Sequence, residues 1–406
     1  MQRWPVTMKA FLMLCICSLL LSGCWSSREL NELAITVAVG IDKAEDGIIV
    51  TVQLINPGDI QAKTPTNGPS VTTFSIKASS VMEGLRKITT KSPRKIYLSH
   101  LRMLVISESM AEEGIAEVLD FFARDHEVRT DYFVVVAKNT KASSVLNVLT
   151  TIEKIPANHM FASLDVSQRI WAPTRGVKLN ELISNLTSEG KQAVLSGVLV
   201  KGDVKKAGDM SSISRTNLST LLNFKGLGVF QNDKLIGWFN EDESKGYNYI
   251  TGNVKSTLIV IPCEGKEKQH DIIGVEMLRT NVKVTASMKN HKPHIHVDLK
   301  GEANVADVEC QVNLQDPAVI NMLERKTAAD VKEKMNDAVE KAQKDYKSDI
   351  FGFGETFYRQ DVKRWYKMKR DWNRIYAEDL TVDLDAKVQI RRLGTLNNSY
   401  MKQMKH

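Results

Sequence analysis

Runs rich in apolar and β-branched residues at 34–42 (AITVAVGID) and 48–55 (IIVTVQLI) flank an EDG turn. They predict a strand pair. VTTFSIKA (71–78), LRMLVIS (101–107), YFVVVAK (132–138) and AVLSGVLVK (193–201) predict further strands. The stretch 132–138 is so nearly all apolar that it is expected at the centre of a sheet covered on both faces. Helices are expected from Ser80 and from Ser109, where Ser80 and Glu83, and Ser109 and Glu112, have capping-box spacing. The second places Ile115, Val118, Leu119 and Phe122 on one face. Two more helical segments are expected at 141–150 and 179–188. Residues 56–70 form a Pro/Gly/Thr loop and 202–222 a polar one, and 226–240 reads as a hairpin turning at Asn232-Asp233.

After residue 250 the pattern changes. NVKVTASM and HIHVDLKGEANV alternate about a KNHKP turn, which predicts an antiparallel pair with one solvated face. A long helix is expected over 317–346, with Ile320, Leu323, Val331, Met335, Val339, Ala342 and Tyr346 in steps of three and four. Only a polar turn at Thr327 interrupts the stripe. GFGE (352–355) is read as the end of that helix and the start of a turn. A basic helix over 360–376 and a closing strand, TVDLDAKVQI, follow. The fold class is mixed α/β and α+β, multi-domain, with mixed and antiparallel sheets and helices packed on them. The expected divisions are a leader at 1–23, a mixed α/β domain at 24–195, a small hairpin-bearing middle domain at 196–253 and an α+β domain at 254–406.

The first residues carry a different signal. Arg3 and Lys9 flank a short start, residues 10–21 (AFLMLCICSLLL) are an apolar run, and Leu21-Ser22-Gly23-Cys24 follows. The run is too short for a stable span and has the layout of a secretory signal. Leu21, Ser22, Gly23 and Cys24 resemble the bacterial lipobox, in which the thiol takes diacylglycerol and the chain is cut before it. That reading is preferred to an uncleaved anchor. Two acyl chains at about 0.8 kcal/mol per buried CH₂ give on the order of 20 kcal/mol, enough for stable anchoring. The formal charge of +7 falls by two in a chain starting at Cys24, because only Arg3 and Lys9 precede it. This mild, dispersed excess suits an anionic membrane surface and does not argue for nucleic acid. Of the five cysteines, Cys263 and Cys310 are the only ones beyond Cys24. They match no zinc spacing and are read as two independent buried thiols.

Candidate chemistry is sparse. His291, His294 and His296 are a metal-like cluster, two of them on one strand face, but no third ligand is fixed locally and a solvated turn is the preferred reading. Asp120, Asp125 and Glu127 beside Arg124 and Arg129 are read as surface ion pairs. No nucleophile elbow, zincin, P-loop or dinucleotide motif is present. The basic aromatic segment holds more. Arg359, Lys363, Arg364, Lys367 and Arg370 surround a stripe at 365, 368, 372 and 376. The stripe is expected in a core, and the cations on a face toward membrane or a partner subunit.

Four segments in order, CWSSRELNELAITVAVGID, RKIYLSHLRMLVISE, FKGLGVFQNDKLIGWFNEDESKGYNYITG and KSDIFGFGETFYR with WYKMKRDW, resemble the Ger(x)C family across nearly the whole chain. These are the C subunits of nutrient germinant receptors of endospore-forming bacteria. Family members often carry Asp after the Trp, where this chain has Ser26. The resemblance implies a non-enzymatic lipoprotein of the spore inner membrane, facing away from the cytoplasm. It also implies assembly with membrane-embedded A and B subunits, and no cofactor beyond the diacylglycerol and N-acyl (palmitate-type) lipid on Cys24. Two rivals remain: a solute-binding lipoprotein with a deep polar pocket between domains, and a secreted hydrolase or metalloenzyme built on the three histidines.

Overall fold

The computed structural model describes residues 32–58, 68–214, 216–263, 271–310 and 312–392, with a few positions between 7 and 13. Leu21, Ser22, Gly23 and Cys24 lie outside the described residues, as does part of the 56–70 loop. Among the described residues no helix is long and apolar enough to cross a membrane. The first sheet takes its strands from β1 (Leu33–Lys43), β2 (Ile48–Ile55), β3 (Val71–Ala78), β4 (Lys95–Tyr97), β5 (Met103–Ser107), β6 (Phe133–Ala137), β7 (Val177–Lys178), β8 (Val194–Gly202), β9 (Thr220–Gln231) and β10 (Lys234–Phe239). Its order is β10-β9-β8-β6-β5-β1-β2-β3, with β4 on β1 and β7 on β6. The strand β6 is central and wholly buried, as its all-apolar sequence requires.

Alternation along the central strands feeds two cores. Leu104, Ile106, Val134 and Val136 face helices α1 (Val81–Ile88), α2 (Glu108–Glu113) and α3 (Ala116–Arg124). Met103, Val105, Phe133 and Val135 face α4 (Ala142–Leu146) and α5 (Pro156–Ile170). The helix α5 has no counterpart in the sequence reading. Its periodicity is weak, and it is recognised by the strand face it covers, with Ala157, Met160 and Leu164 buried. The Ser80 cap forms as expected, with its hydroxyl accepting from Glu83 N at 3.3 Å. The Ser109 cap does not. Gly114 splits that segment into α2 and α3, and the hairpin-turn residue Asp233 caps the second piece, accepting from Ile115 N (3.0 Å) and Ala116 N (3.2 Å). The α6 helix (Leu179–Leu186) packs on the same face as α3.

The hairpin forms as predicted, with Asn232 at φ 55° in its turn. It is not the core of a separate middle unit, however. The strand β9 pairs with β8 from Val194↔Val229 to Gly202↔Thr220, so the 196–253 stretch extends the first sheet. The helix that follows, α7 (Glu241–Ile250), capped by Asn240 with Glu243, turns away to pack on the C-terminal half.

That half is a four-stranded sheet, β11 (Thr257–Pro262), β12 (Ile272–Lys289), β13 (Lys292–Val308) and β14 (Thr381–Arg392), in that order. β13 and β14 are parallel, the others antiparallel. One face is covered by α8 (Pro317–Lys341), which continues through a π-turn at Ala342–Tyr346. The polar Thr327 does not interrupt its buried stripe. It is fully buried, and its hydroxyl donates to Leu323 O at 2.7 Å, so the group carries its own partner into the core.

Cys263 and Cys310 form a disulfide, with Cα atoms 6.2 Å apart, correcting the expectation of two separate thiols. Register brings them together. Pro262 pairs with Ile272 and Ile273 with Val308, so both cysteines follow strand ends at one end of the sheet although 47 residues separate them. Replacing both by Ser is expected to lower stability by about 2 kcal/mol. Urea titration of oxidised wild type, reduced wild type and the double variant checks this. Matching midpoints for all three would count against a structural role.

Candidate functional site

The basic segment begins at the joint between the two halves. Asp349 is fully buried there, and its carboxylate accepts from the backbone N–H of Gly352 (3.0 Å), Phe353 (3.1 Å) and Gly354 (2.8 Å) and from Trp372 Nε1 (2.9 Å). Burial pushes Asp349 up to about 6 against the pull of those four donors. Gly352, at φ 77°, precedes helix α9 (Phe353–Gln360), so GFGE opens a helix instead of ending one. The αL backbone turns three successive N–H groups toward one point, and the anion they would otherwise attract is the chain's own Asp349.

The same turn grips the first sheet. Gly190 O accepts from Glu355 N (3.1 Å), Asp349 O accepts from Gln192 N (2.7 Å), and Ser188 Oγ donates to Glu355 Oε1 (2.9 Å). Gly190 and Gly354 lie back to back, since a Cβ on Gly354 would stand 2.7 Å from Gly190 Cα. A second joint sits at the hairpin. Tyr346 Oη donates to Trp238 O (2.9 Å) and accepts from Trp238 N (3.0 Å), while Lys138 lies 4.3 Å over the Trp238 ring.

Beyond α9 the expected 360–376 helix is broken into α10 (Val362–Met368), a 3-10 turn and α11 (Trp372–Glu378). Asp361 ends α9 and caps α10, accepting from Arg364 N at 3.1 Å. The aromatic stripe is core, as read from sequence. Trp365, Trp372 and Tyr376 are buried, the two indoles edge to face at 5.3 Å. Arg359, Lys363, Arg364, Lys367 and Arg370 are all exposed, again as read. With them stand Tyr358, Val362 and Tyr366, at 48%, 47% and 59% exposure, outside the stripe read from sequence. Arg364 pairs with Asp361 (3.3 Å) and Lys369 with Glu189 (2.9 Å). Among the described residues Lys363, Lys367 and Arg370 have no carboxylate partner within ion-pair distance.

The other candidates resolve into structural pairs. His294 is buried, not on a solvated face, with Nε2 2.8 Å from Asp383 and Nδ1 3.2 Å from Ser287. His296 lies 3.9 Å from Asp385, and His291 occupies the turn at φ 63°. Among the described residues no three metal-capable side chains cluster. Of the expected ion pairs, Arg124 with Asp120 forms (2.7 Å), whereas Asp125 accepts from Glu127 N (2.8 Å) and Glu127 meets Lys95 (2.6 Å). Two cavities among the described residues bear on these candidates. One of about 570 Å³ runs between α1 and α3, lined by Val81, Leu85, Ile96, Val118 and Phe121 with Arg86 at its rim. The other, about 560 Å³, is an interdomain cleft lined by Ser188, Glu189, Glu355, Tyr358, Arg359 and Tyr366.

The fold therefore presents a cationic, tyrosine-bearing face held on an interdomain joint. Residues 26–199 match the family described as "Spore germination protein N-terminal domain", and residues 225–394 match "Spore germination B3/ GerAC like, C-terminal". Spore germination protein KC of Bacillus subtilis (strain 168) is 33% identical over 95% of this chain and 96% of its own length. Spore germination protein B3 of the same organism is 22% identical over 93% of this chain and 95% of its own. The crystal structure of the GerBC protein shares the fold, with a TM-score of 0.56 at 18% identity over 87% of this chain and 96% of that chain. The chain belongs to this family of spore germination proteins.

Proposed function

We propose that the protein is a non-enzymatic, lipid-anchored subunit of a nutrient germinant receptor, acting by assembly with membrane-embedded A and B subunits. The observation that carries this reading is the match of both family regions, in order, across nearly the whole chain. Three features support it. Cys24 follows a signal-like leader in lipobox order. The Cys263–Cys310 disulfide suits an oxidising site outside the cytoplasm. The exposed chemistry is a cationic face, and the acids of the interdomain cleft are already engaged by Ser188 and Lys369, which favours assembly over solute capture. Anchoring on Cys24 would confine the protein to the spore inner membrane and raise its effective concentration beside its partners. Docking would then bias a conformational equilibrium that nutrient binding shifts.

Deleting the gene, with the other subunits retained, is expected to abolish the germination response to one nutrient class. Cys24→Ala is expected to leave the protein out of the membrane fraction and give the same defect. Unchanged germination with every nutrient in a strain lacking paralogues would rule the proposal out.

A further inference from the structure

We infer that the face formed by Arg359, Lys363, Lys367 and Arg370 with Tyr358, Val362 and Tyr366 rests on the anionic headgroups of the bilayer that holds the acyl anchor. The inference rests on the lipoprotein reading above and goes further, by giving the protein one orientation on the membrane.

Sheet register places this face on the tether side of the molecule. The strands β1, β5, β6 and β8 are parallel, paired through Ala38↔Met103, Met103↔Phe133 and Val136↔Gly197. Ala38, Met103, Phe133 and Val194 therefore stand level across the sheet, and β1 starts five residues before that line, at Leu33, on the same side. The anchor chain enters at Leu33. The face is fastened to Ser188, Glu189 and Gly190, just before Val194, through Glu355 and Lys369. Since β8 lies three strands from β1, the lateral offset is about 14 Å at ~4.8 Å per strand. The eight residues between Cys24 and Leu33 have a contour length of at most ~30 Å. The tether thus keeps this edge within reach of the lipid surface.

The chemistry of the face fits that surface. Some lysines and arginines of this protein pair with a carboxylate, as Arg374, Lys334 and Lys344 do. Among the described residues Lys363, Lys367 and Arg370 have no such partner, and Arg359 donates to the Thr356 hydroxyl, at 3.2 Å. The acids nearby are Asp361, held by Arg364, Glu189, held by Lys369, the exposed Asp371, and Glu355 in the cleft behind. Cations are in excess. Tyr358, Val362 and Tyr366 set apolar surface among them, the composition of a segment seated at headgroup level. Both short helices are pinned beneath by Phe357, Trp365 and Trp372, so the face needs no folding step to bind.

The test uses the full lipidated chain carrying Tyr366→Cys, labelled with a polarity-sensitive fluorophore. Cys263 and Cys310 are bonded to each other, and Cys24 carries the lipid, so the label has one site. The protein is reconstituted on vesicles of neutral phosphatidylcholine and on vesicles with about one-third phosphatidylglycerol. Flotation with both is expected. Emission should shift to the blue only on the anionic vesicles, and should revert in ~0.5 M salt or when Lys363→Glu and Lys367→Glu are added. Floating protein with the same emission on both vesicles would overturn this inference alone. A shift that appears only when the membrane subunits are present would overturn it in favour of an acidic protein partner. Failure to float would overturn the lipoprotein reading and this inference with it.

Discussion

Asp349→Asn is expected to destabilise the protein by about 4 kcal/mol at neutral pH, since its NH₂ leaves two buried N–H donors without an acceptor at ~1–3 kcal/mol each. Both carboxylate oxygens are acceptors for buried donors, Oδ1 for Gly352 and Phe353 and Oδ2 for Gly354 and Trp372. An amide can match only one of these edges, and its NH₂ must face N–H groups across the other. Urea unfolding followed by near-UV circular dichroism should show the loss, because Trp365 and Trp372 pack against this turn. The pH dependence carries a second signature. Asp349 is raised to about 6, whereas an unfolded aspartate titrates near 3.9. The folded state therefore holds this proton more tightly. The group's contribution is full below about pH 4 and is lost as pH rises through about 6, roughly 3 kcal/mol in all. The Asn variant should lack that slope. A variant as stable as wild type with the slope intact would show that Asp349 does not organise the joint.

Gly246→Val is expected to cost a similar amount, about 4 kcal/mol, for a steric reason. Gly246 sits inside α7, where glycine ordinarily weakens a helix by about 1 kcal/mol relative to Ala. Its use here is close approach. A Cβ at this position would stand 1.9 Å from Lys334 O and 2.6 Å from its carbonyl carbon, on the backbone of α8. Backbone atoms cannot swing aside, so the helices would have to part and uncover Tyr249, Met335 and Ala338. Gly58→Ala meets nothing within 4 Å and serves as the matched control. Thermal unfolding of both variants reads the difference, and equal midpoints would refute the close-packed crossing.

These residues mark where sequence reading reached its limit. Local patterns disclosed the central strand β6, the hairpin turn at Asn232-Asp233, the β12–β13 pair and the buried Trp365–Trp372–Tyr376 stripe. In each case neighbours in sequence carry the signal. The sequence reading did not disclose α5, whose polar and apolar residues are poorly segregated and which is defined by the strand face it covers. Nor did it disclose the break at Gly114, since the cap that drives it comes from Asp233, 117 residues away. The K-S-D-I-F-G-F-G-E run did hold a usable signal. An acid three residues before the first of two glycines is the spacing of a side chain capping its own turn. Reading the glycines alone turned a helix start into a helix end.

By itself, the sequence determined the strand and helix grammar of both halves, the resemblance that names the family, and which residues of the basic segment are cationic and exposed. Tertiary structure alone decided three things. It fused the hairpin to the first sheet, closed Cys263 onto Cys310, and set the cationic face on the edge where β1 begins. Each depends on register between segments tens to hundreds of residues apart. Hydrogen-bonded pairing fixes that register only once the sheets have formed, and no periodicity within a single segment encodes it.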